Sequence, residues 1–351
     1  FVFLPAMGKP QQDPGGVLAR LGVESTAAPA YAALAVAQFF FALQGFVLRA
    51  ALAGADAVQP SRYLLYRQVL ACLPLLVMAH RMGGSTNLTS PPREDYPYIA
   101  GVGALNMFLT PLTFLLALEF SNPTIAAVGQ PFLPLVAFLI ALPLGKDSYS
   151  SNKAAGLVVC VLGAASVVVG SSRPQAAGAA AAPASVSLGL LMLLIEQLCQ
   201  GSGMHLQKVL LAKHPPPVVT AWCYCFGTCC IVALNVVSGS GEGLGALLAV
   251  PRHLWLPLSY SVGVCTVFNY NVLLWANSML SATVVALSTC LQPVFTCMLA
   301  LVLDGEPLSP LHVLGCGAVA GGLHIFLSDR GLSCATQEKH QKPPLCGSKA
   351  E

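Results

Sequence analysis

Apolar runs of about 20 residues recur along this chain from the thirties to the three hundred and twenties. Each is almost free of charge and long enough to cross a hydrocarbon core of about 30 Å as a helix. Polar or Gly/Pro-rich breaks separate them, including "RMGGSTNLTSPPREDYP" and "SSRPQAAGAAAAPASVS". A membrane barrel would instead alternate apolar and polar positions in strands of about ten residues, and that pattern is missing. Helices must therefore satisfy the backbone in lipid. The pattern predicts ten spans, near 30–52, 62–80, 97–118, 122–144, 154–170, 187–211, 217–238, 254–275, 281–303 and 310–328.

Composition agrees with this reading. Of 351 residues, 56% are hydrophobic and 9% charged, whereas a soluble domain carries about 25% charged residues. A water-soluble fold would lack the polar surface to cover itself. The expected fold is an all-α polytopic membrane protein. Thirteen cysteines fall mostly inside the spans without zinc-finger spacing, so they read as packing thiols; no metal or other cofactor is expected.

The apolar runs repeat. Pro134 and Pro293 sit in similar stretches, "LPLVAFLIALPLGKD" and "LQPVFTCMLALVLDGE", and 293 − 134 = 159. At the same offset Thr124 meets Thr283, Asp147 meets Glu306, Gly156 meets Gly315, Gly163 meets Gly322 and Gln38 meets Gln197. The third and eighth spans align after a slip of one residue, with Gly103 over Gly263 and Phe108 over Phe268. The chain thus reads as two five-helix units. Its expected division is an N-terminal cytoplasmic segment 1–29, a first repeat 30–170, an Ala/Pro-rich linker 171–186, a second repeat 187–328 and a cytoplasmic tail 329–351.

Five crossings per unit would turn the second copy upside down, the arrangement of many secondary transporters. Charge tests this, because Lys and Arg gather on the cytoplasmic side. With the N-terminus inside, 12 of the 17 basic residues are cytoplasmic and both termini lie inside. Asn87 in "NLTS" then stays unglycosylated, its loop being cytoplasmic.

Ionisable and polar residues at membrane depth are costly and point to function. Glu196 lies near the middle of the sixth span, with Gln200 one turn on and Gln197 beside it. It is the first candidate for proton coupling or amine binding. Gln38, the repeat partner of Gln197, follows. Asn106 and Thr110 on the third span, Asn269, Asn271 and Trp275 on the eighth, and Gln130 and Gln292 on the fourth and ninth are further candidates. Each could equally form a helix-helix hydrogen bond. Pro134 and Pro293 should kink their helices, which suits either a symmetric gate or a role in shaping helix packing. Arg49, Lys208 and Arg67 lie toward helix ends and are expected to snorkel to the interface. His205 is half a turn from Glu196 in angle and should not pair with it. Gly317 and Gly321 form a GxxxG step suited to internal packing or to a homodimer.

"FALQGFVLRAALAG", "RYLLYRQVLACLPLLVMAHR", "PTIAAVGQPFLPLVAFLIALPLG" and "LQPVFTCMLALVLDGEPLSPLHVLGCGAVAGGL" resemble the EamA-type drug/metabolite transporters over about residues 30–328. The chain is most similar to the plant walls-are-thin and nodulin-like branch. That resemblance implies movement of auxin, amino acids or related small metabolites across the plasma membrane or an endomembrane such as that of the vacuole. A nucleotide-sugar or triose-phosphate exchanger of the same fold, and a receptor or scaffold without transport, are the alternatives. A phosphorylated ligand needs Lys or Arg in the cavity, and the ninth span has neither. No Walker loop, HExxH or paired intramembrane aspartates support an enzyme. The expected partners are a small-molecule substrate and the lipid bilayer, with no nucleic acid.

Overall fold

A computed structural model describes residues 28–52, 60–82, 91–120, 129–171, 183–238, 250–305 and 309–340. Most of the expected N-terminal segment, the centre of the linker, Asn87, Glu306 and the end of the tail lie outside the described residues. Every described element is helical. In chain order these are α1 (Ala28–Leu52), α2 (Pro60–Met82), α3 (96–120), α4 (Gln130–Ala141), α5 (Ser151–Ser171), α6 (Pro183–Leu211), α7 (Pro216–Ser238), α8 (255–279), α9 (282–304) and α10 (Pro310–His340).

Stretches of α1, α2, α3, α5, α7, α9 and α10 are long and apolar enough to cross a membrane. The described part of α4 is apolar but shorter. Polar side chains buried in mid-helix, among them Glu196 and Gln197 on α6 and Asn269, Asn271 and Asn277 on α8, make those two helices less apolar. The last helix does not stop near residue 328 but continues to His340.

Burial joins the two halves of the chain. One apolar core takes Leu34 from α1, Phe138 from α4 and Leu157 from α5, together with Val285 from α9 and Phe326 from α10. A second takes Leu75 from α2 and Val102 from α3 together with Leu210 from α6 and Tyr224 from α7. Neither half buries its own apolar face alone, so both halves are needed to close either core.

The contact between α5 and α10 is made by glycines. A Cβ on Gly156 would lie 2.8 Å from the Gly322 carbonyl oxygen, and one on Gly163 would lie 2.8 Å from that of Gly315. Gly156 faces Gly322 while Gly163 faces Gly315, so the two helices run antiparallel. All four residues belong to the pairs that repeat at 159. Gly317 and Gly321 meet nothing within 4 Å and take no part in this contact.

At each repeated proline the helix changes type. A 3-10 turn, Gln130–Phe132, precedes Pro134, and another, Ser288–Cys290, precedes Pro293. Proline lacks the N–H that would bond the carbonyl four residues back, so each helix tightens just before it. Both helices are followed by a glycine in the left-handed region, Gly145 at φ 62° and Gly305 at φ 65°. A side chain would strain that backbone, and glycine lets the chain turn out of the helix there.

A distortion without a sequence signature appears in α3 and α8. Gly103–Leu109 and Ser261–Phe268 are π-helical, and Gly103 and Gly263 are the residues aligned after the one-residue slip. Thr110 and Thr266 each donate a side-chain hydrogen bond to the carbonyl five residues back, Leu105 at 2.8 Å and Ser261 at 2.9 Å. Such turns rotate the side chains that follow them relative to a regular helix, and they recur at functional sites.

One end of the bundle is tied by charge. Asp95, buried before α3, accepts from Lys213 Nζ at 2.8 Å and lies 2.7 Å from His214 Nε2, both in the turn between α6 and α7. The carboxylate holds the Lys213 ammonium above its ordinary value, so that residue stays charged through the neutral range. The His214 ring stands edge-on to Trp222 with centroids 5.0 Å apart. At the same end Lys153 pairs with Asp147 at 3.1 Å, and Lys146 donates to the His205 carbonyl at 3.2 Å.

Candidate functional site

A cavity of about 330 Å³ lies between the two halves. Phe41 and Gln44 of α1, Arg67 of α2, Asn106, Thr110 and Phe114 of α3 and Gln130 of α4 line it from the first half. Glu196, Gln200 and Gln207 of α6, Tyr270 and Asn277 of α8 and Gln292 of α9 line it from the second. The wall is a mixture of amides, aromatic rings and aliphatic surface that suits a small polar organic molecule.

Glu196 is 3% exposed. Its Oε1 accepts a hydrogen bond from Gln130 Nε2 at 2.8 Å, which ties α6 to the 3-10 turn of α4. Its Oε2 is buried without a partner. A carboxylate in that position costs several kcal/mol to keep charged unless a proton or a ligand cation answers it. Asn106 Oδ1 is likewise buried without a partner. The Asn106 side chain rests against Gly203, where any Cβ would collide with it. The π turn of α3 and the glycine of α6 together place this amide at the cavity.

Below these groups the two helices of the second half are joined. Asn277 Nδ2 donates to the Met204 carbonyl at 3.0 Å and to Gln207 Oε1 at 3.3 Å, which ties α8 to α6 beside the cavity.

The sequence profile of the EamA-like transporter family matches twice, at residues 28–169 and 187–328. The chain belongs to the EamA-like transporter family. The two matches are displaced by 187 − 28 = 159, the offset at which Pro134 and Pro293 correspond. A crystal structure that is 16% identical in sequence superposes with a TM-score of 0.65, covering 85% of this chain and 97% of that one, and so shares the fold. This is a multi-pass integral membrane protein of a family of transporters.

Within this EamA-like frame, Glu196, Gln200, Asn106 and Gln292 come together at the cavity, with Thr110 and Gln130. Other candidates sit elsewhere. Gln38 donates to Ser288 Oγ at 3.0 Å and Asn269 to the Ala37 carbonyl at 3.0 Å, both between helices, while Asn271 donates to the Val267 carbonyl one turn back on its own helix at 2.6 Å. Gln197 is buried and Trp275 packs against the first apolar core; neither lines the cavity. Pro134 and Pro293 are likewise off its wall. His205 bonds the Ala137 carbonyl at 2.8 Å rather than Glu196. Lys208 donates to the Leu280 carbonyl.

Arg67 corrects the snorkelling expectation. Its side chain does not run to the interface but lines the cavity. With Gln44, Gln207, Tyr270 and Asn277 it completes the set that sequence reasoning missed. Arg49 lies on α1, and its side chain is outside the described residues.

Proposed function

We propose that this protein is a secondary transporter that carries a small organic metabolite by alternating access, with Glu196 as its coupling group. The carrying observation is the cavity itself. It lies between two copies of one unit and holds a buried carboxylate with one oxygen unanswered. The antiparallel packing of the equivalent helices α5 and α10 supports two inverted five-helix repeats with ten crossings. Equivalent helices that run in opposite directions are related by an axis across the helices, which is the axis of an inverted repeat. Lys146, Lys153 and Lys213 near one end of the bundle support placing that end, and both termini, in the cytoplasm.

In this reading the cavity opens alternately to either side of the membrane. Glu196 is neutralised by a proton, or by a cationic group of the substrate, whenever the closed cavity is dry. The distorted halves of α4 and α9, each starting at a 3-10 turn and bearing the repeated proline, are the elements that move.

Vesicles carrying the purified protein, given an inside-alkaline or inside-acidic pH gradient and a panel of labelled metabolites, test the proposal. Accumulation of one compound that follows the gradient supports it. Binding without flux would point instead to a receptor or scaffold.

A further inference from the structure

Arg67 of α2 stands on the cavity wall with Tyr270 of α8, and near Tyr63 and, from α7, Tyr224. Among the described residues it makes no hydrogen bond and no ion pair, and its Nε is buried without a partner. The Tyr224 hydroxyl is buried and unpartnered as well. The rings of Tyr224 and Tyr270 meet edge-on at 6.0 Å, and Tyr270 meets Phe41 at 6.4 Å, so Arg67 is set beside a rigid aromatic corner. A guanidinium at membrane depth is expensive and is normally answered by a carboxylate. The cavity carboxylate, Glu196, is engaged by Gln130 on the other side, formed by α4 and α6, and does not pair with it.

We propose that Arg67 is the acid-recognition residue of this cavity and that the substrate is a monocarboxylate whose carboxylate binds it in a fork. The inference rests on the transport reading only for the word substrate; recognition itself is a binding property. Guanidinium and carboxylate match in two parallel hydrogen bonds, which gives both strength and orientation.

Charge selects one acid group. Arg67 is the one Lys or Arg on the cavity wall among the described residues, and Glu196 the one Asp or Glu. A phosphate dianion or a dicarboxylate would bring a second negative charge with no cation to meet it and a carboxylate in the same space. A cavity of 330 Å³ is at the low end of the range of about 300–1,000 Å³ for small-molecule sites, which favours a compact acid over a nucleotide sugar. A donor on the far end of the molecule, an ammonium or N–H, would find Glu196 Oε2 and Asn106 Oδ1 open.

The test uses the full chain in lipid nanodiscs and reads thermal shift. The panel holds the common amino acids, indole-3-acetate and benzoate, the primary amide of each, phosphate monoesters and nucleotide sugars. The expected result is a concentration-dependent shift from at least one monocarboxylate and none from its amide. Arg67→Gln should weaken that acid by about tenfold or more, as loss of a charge-assisted bidentate contact does. An acid and amide that bind equally, a phosphate compound as best binder, a panel with no acid-dependent shift, or R67Q with wild-type affinity would each overturn the proposal. If R67Q fails to fold, Arg67→Lys, which keeps the charge without the fork, together with the acid-amide comparison on the unaltered chain, decides it. Acid binding through Arg67 in a protein that then shows no flux in vesicles would refute transport and leave this inference standing.

Discussion

The α5–α10 contact and the cavity wall are made from the same duplicated unit, yet only the first is symmetric. At α5–α10 each glycine touches the equivalent of the other one: Gly156 meets Gly322, the counterpart of Gly163, and Gly163 meets Gly315, the counterpart of Gly156. At the cavity the corresponding residues have diverged. The position of Glu196 is held in the first repeat by Ala37 (196 − 159 = 37), and that of Arg67 in the second repeat by Phe226 (67 + 159 = 226). Duplication was kept where two backbones meet and abandoned where chemistry is needed. A symmetric site would present like charges to each other, whereas the divergent one holds one cation and one carboxylate on different walls.

The most severe functional break is expected at the asymmetric region. Glu196→Gln keeps the shape and removes the charge. It should abolish accumulation against a gradient while leaving downhill flux and thermal stability close to those of the unaltered protein. Vesicle uptake with and without a pH gradient checks it. A mutant that still accumulates substrate with the normal pH response would show that coupling lies elsewhere, and one that fails to fold would make Glu196 a structural residue.

At the symmetric region the expected damage is to stability instead. In Gly322→Ala the new Cβ would lie 2.6 Å from the Gly156 carbonyl oxygen and the Cys160 backbone nitrogen, and backbone cannot rotate out of the way. Such overpacking costs about 1–3 kcal/mol, to be read as a lower melting temperature in detergent, with the affinity of the surviving protein unaltered.

Between the two lies the proline pair, symmetric in sequence and set on helices that also supply Gln130 and Gln292. Pro293→Ala restores a backbone hydrogen bond and should slow turnover several-fold with little change in binding. Equal losses in affinity and rate would make the proline a packing residue.

The smallest effect is expected at Gly317→Ala. That position meets nothing within 4 Å, so alanine should leave stability unchanged or raise it by up to about 1 kcal/mol, the difference in helix propensity. A loss as large as that of Gly322→Ala would mean that this face of α10 is covered, as by a second copy of the chain.

Sequence made the scaffold legible for a simple reason: lipid demands long apolar helices, and a duplicated chain displays its own alignment. Glu196 was legible because a charge in mid-span stands out against its neighbours. Arg67 was not, because distance from the helix end says nothing about which way a side chain faces. Tyr270 and Asn277 were hidden by geometry. They follow the π turn of α8, and an i to i+5 turn breaks the 3.6-residue count by which a helix face is read. Asn269 and Asn271 drew attention as polar residues at membrane depth, while in the structure Tyr270 between them reaches the cavity.

The glycines of α5 and α10 have a consequence for how such a chain could arise. Gly156 and Gly163 on the first repeat are spaced to meet the equivalents of Gly163 and Gly156 on an antiparallel neighbour. That complementarity does not depend on the two repeats being covalently joined. A single five-helix unit already carries both halves of the joint, so a gene encoding one unit, inserted in both orientations, could assemble as a pair. Fusion would then add the linker and free each copy to change on its own, which is the condition under which Ala37 and Glu196 could become different residues.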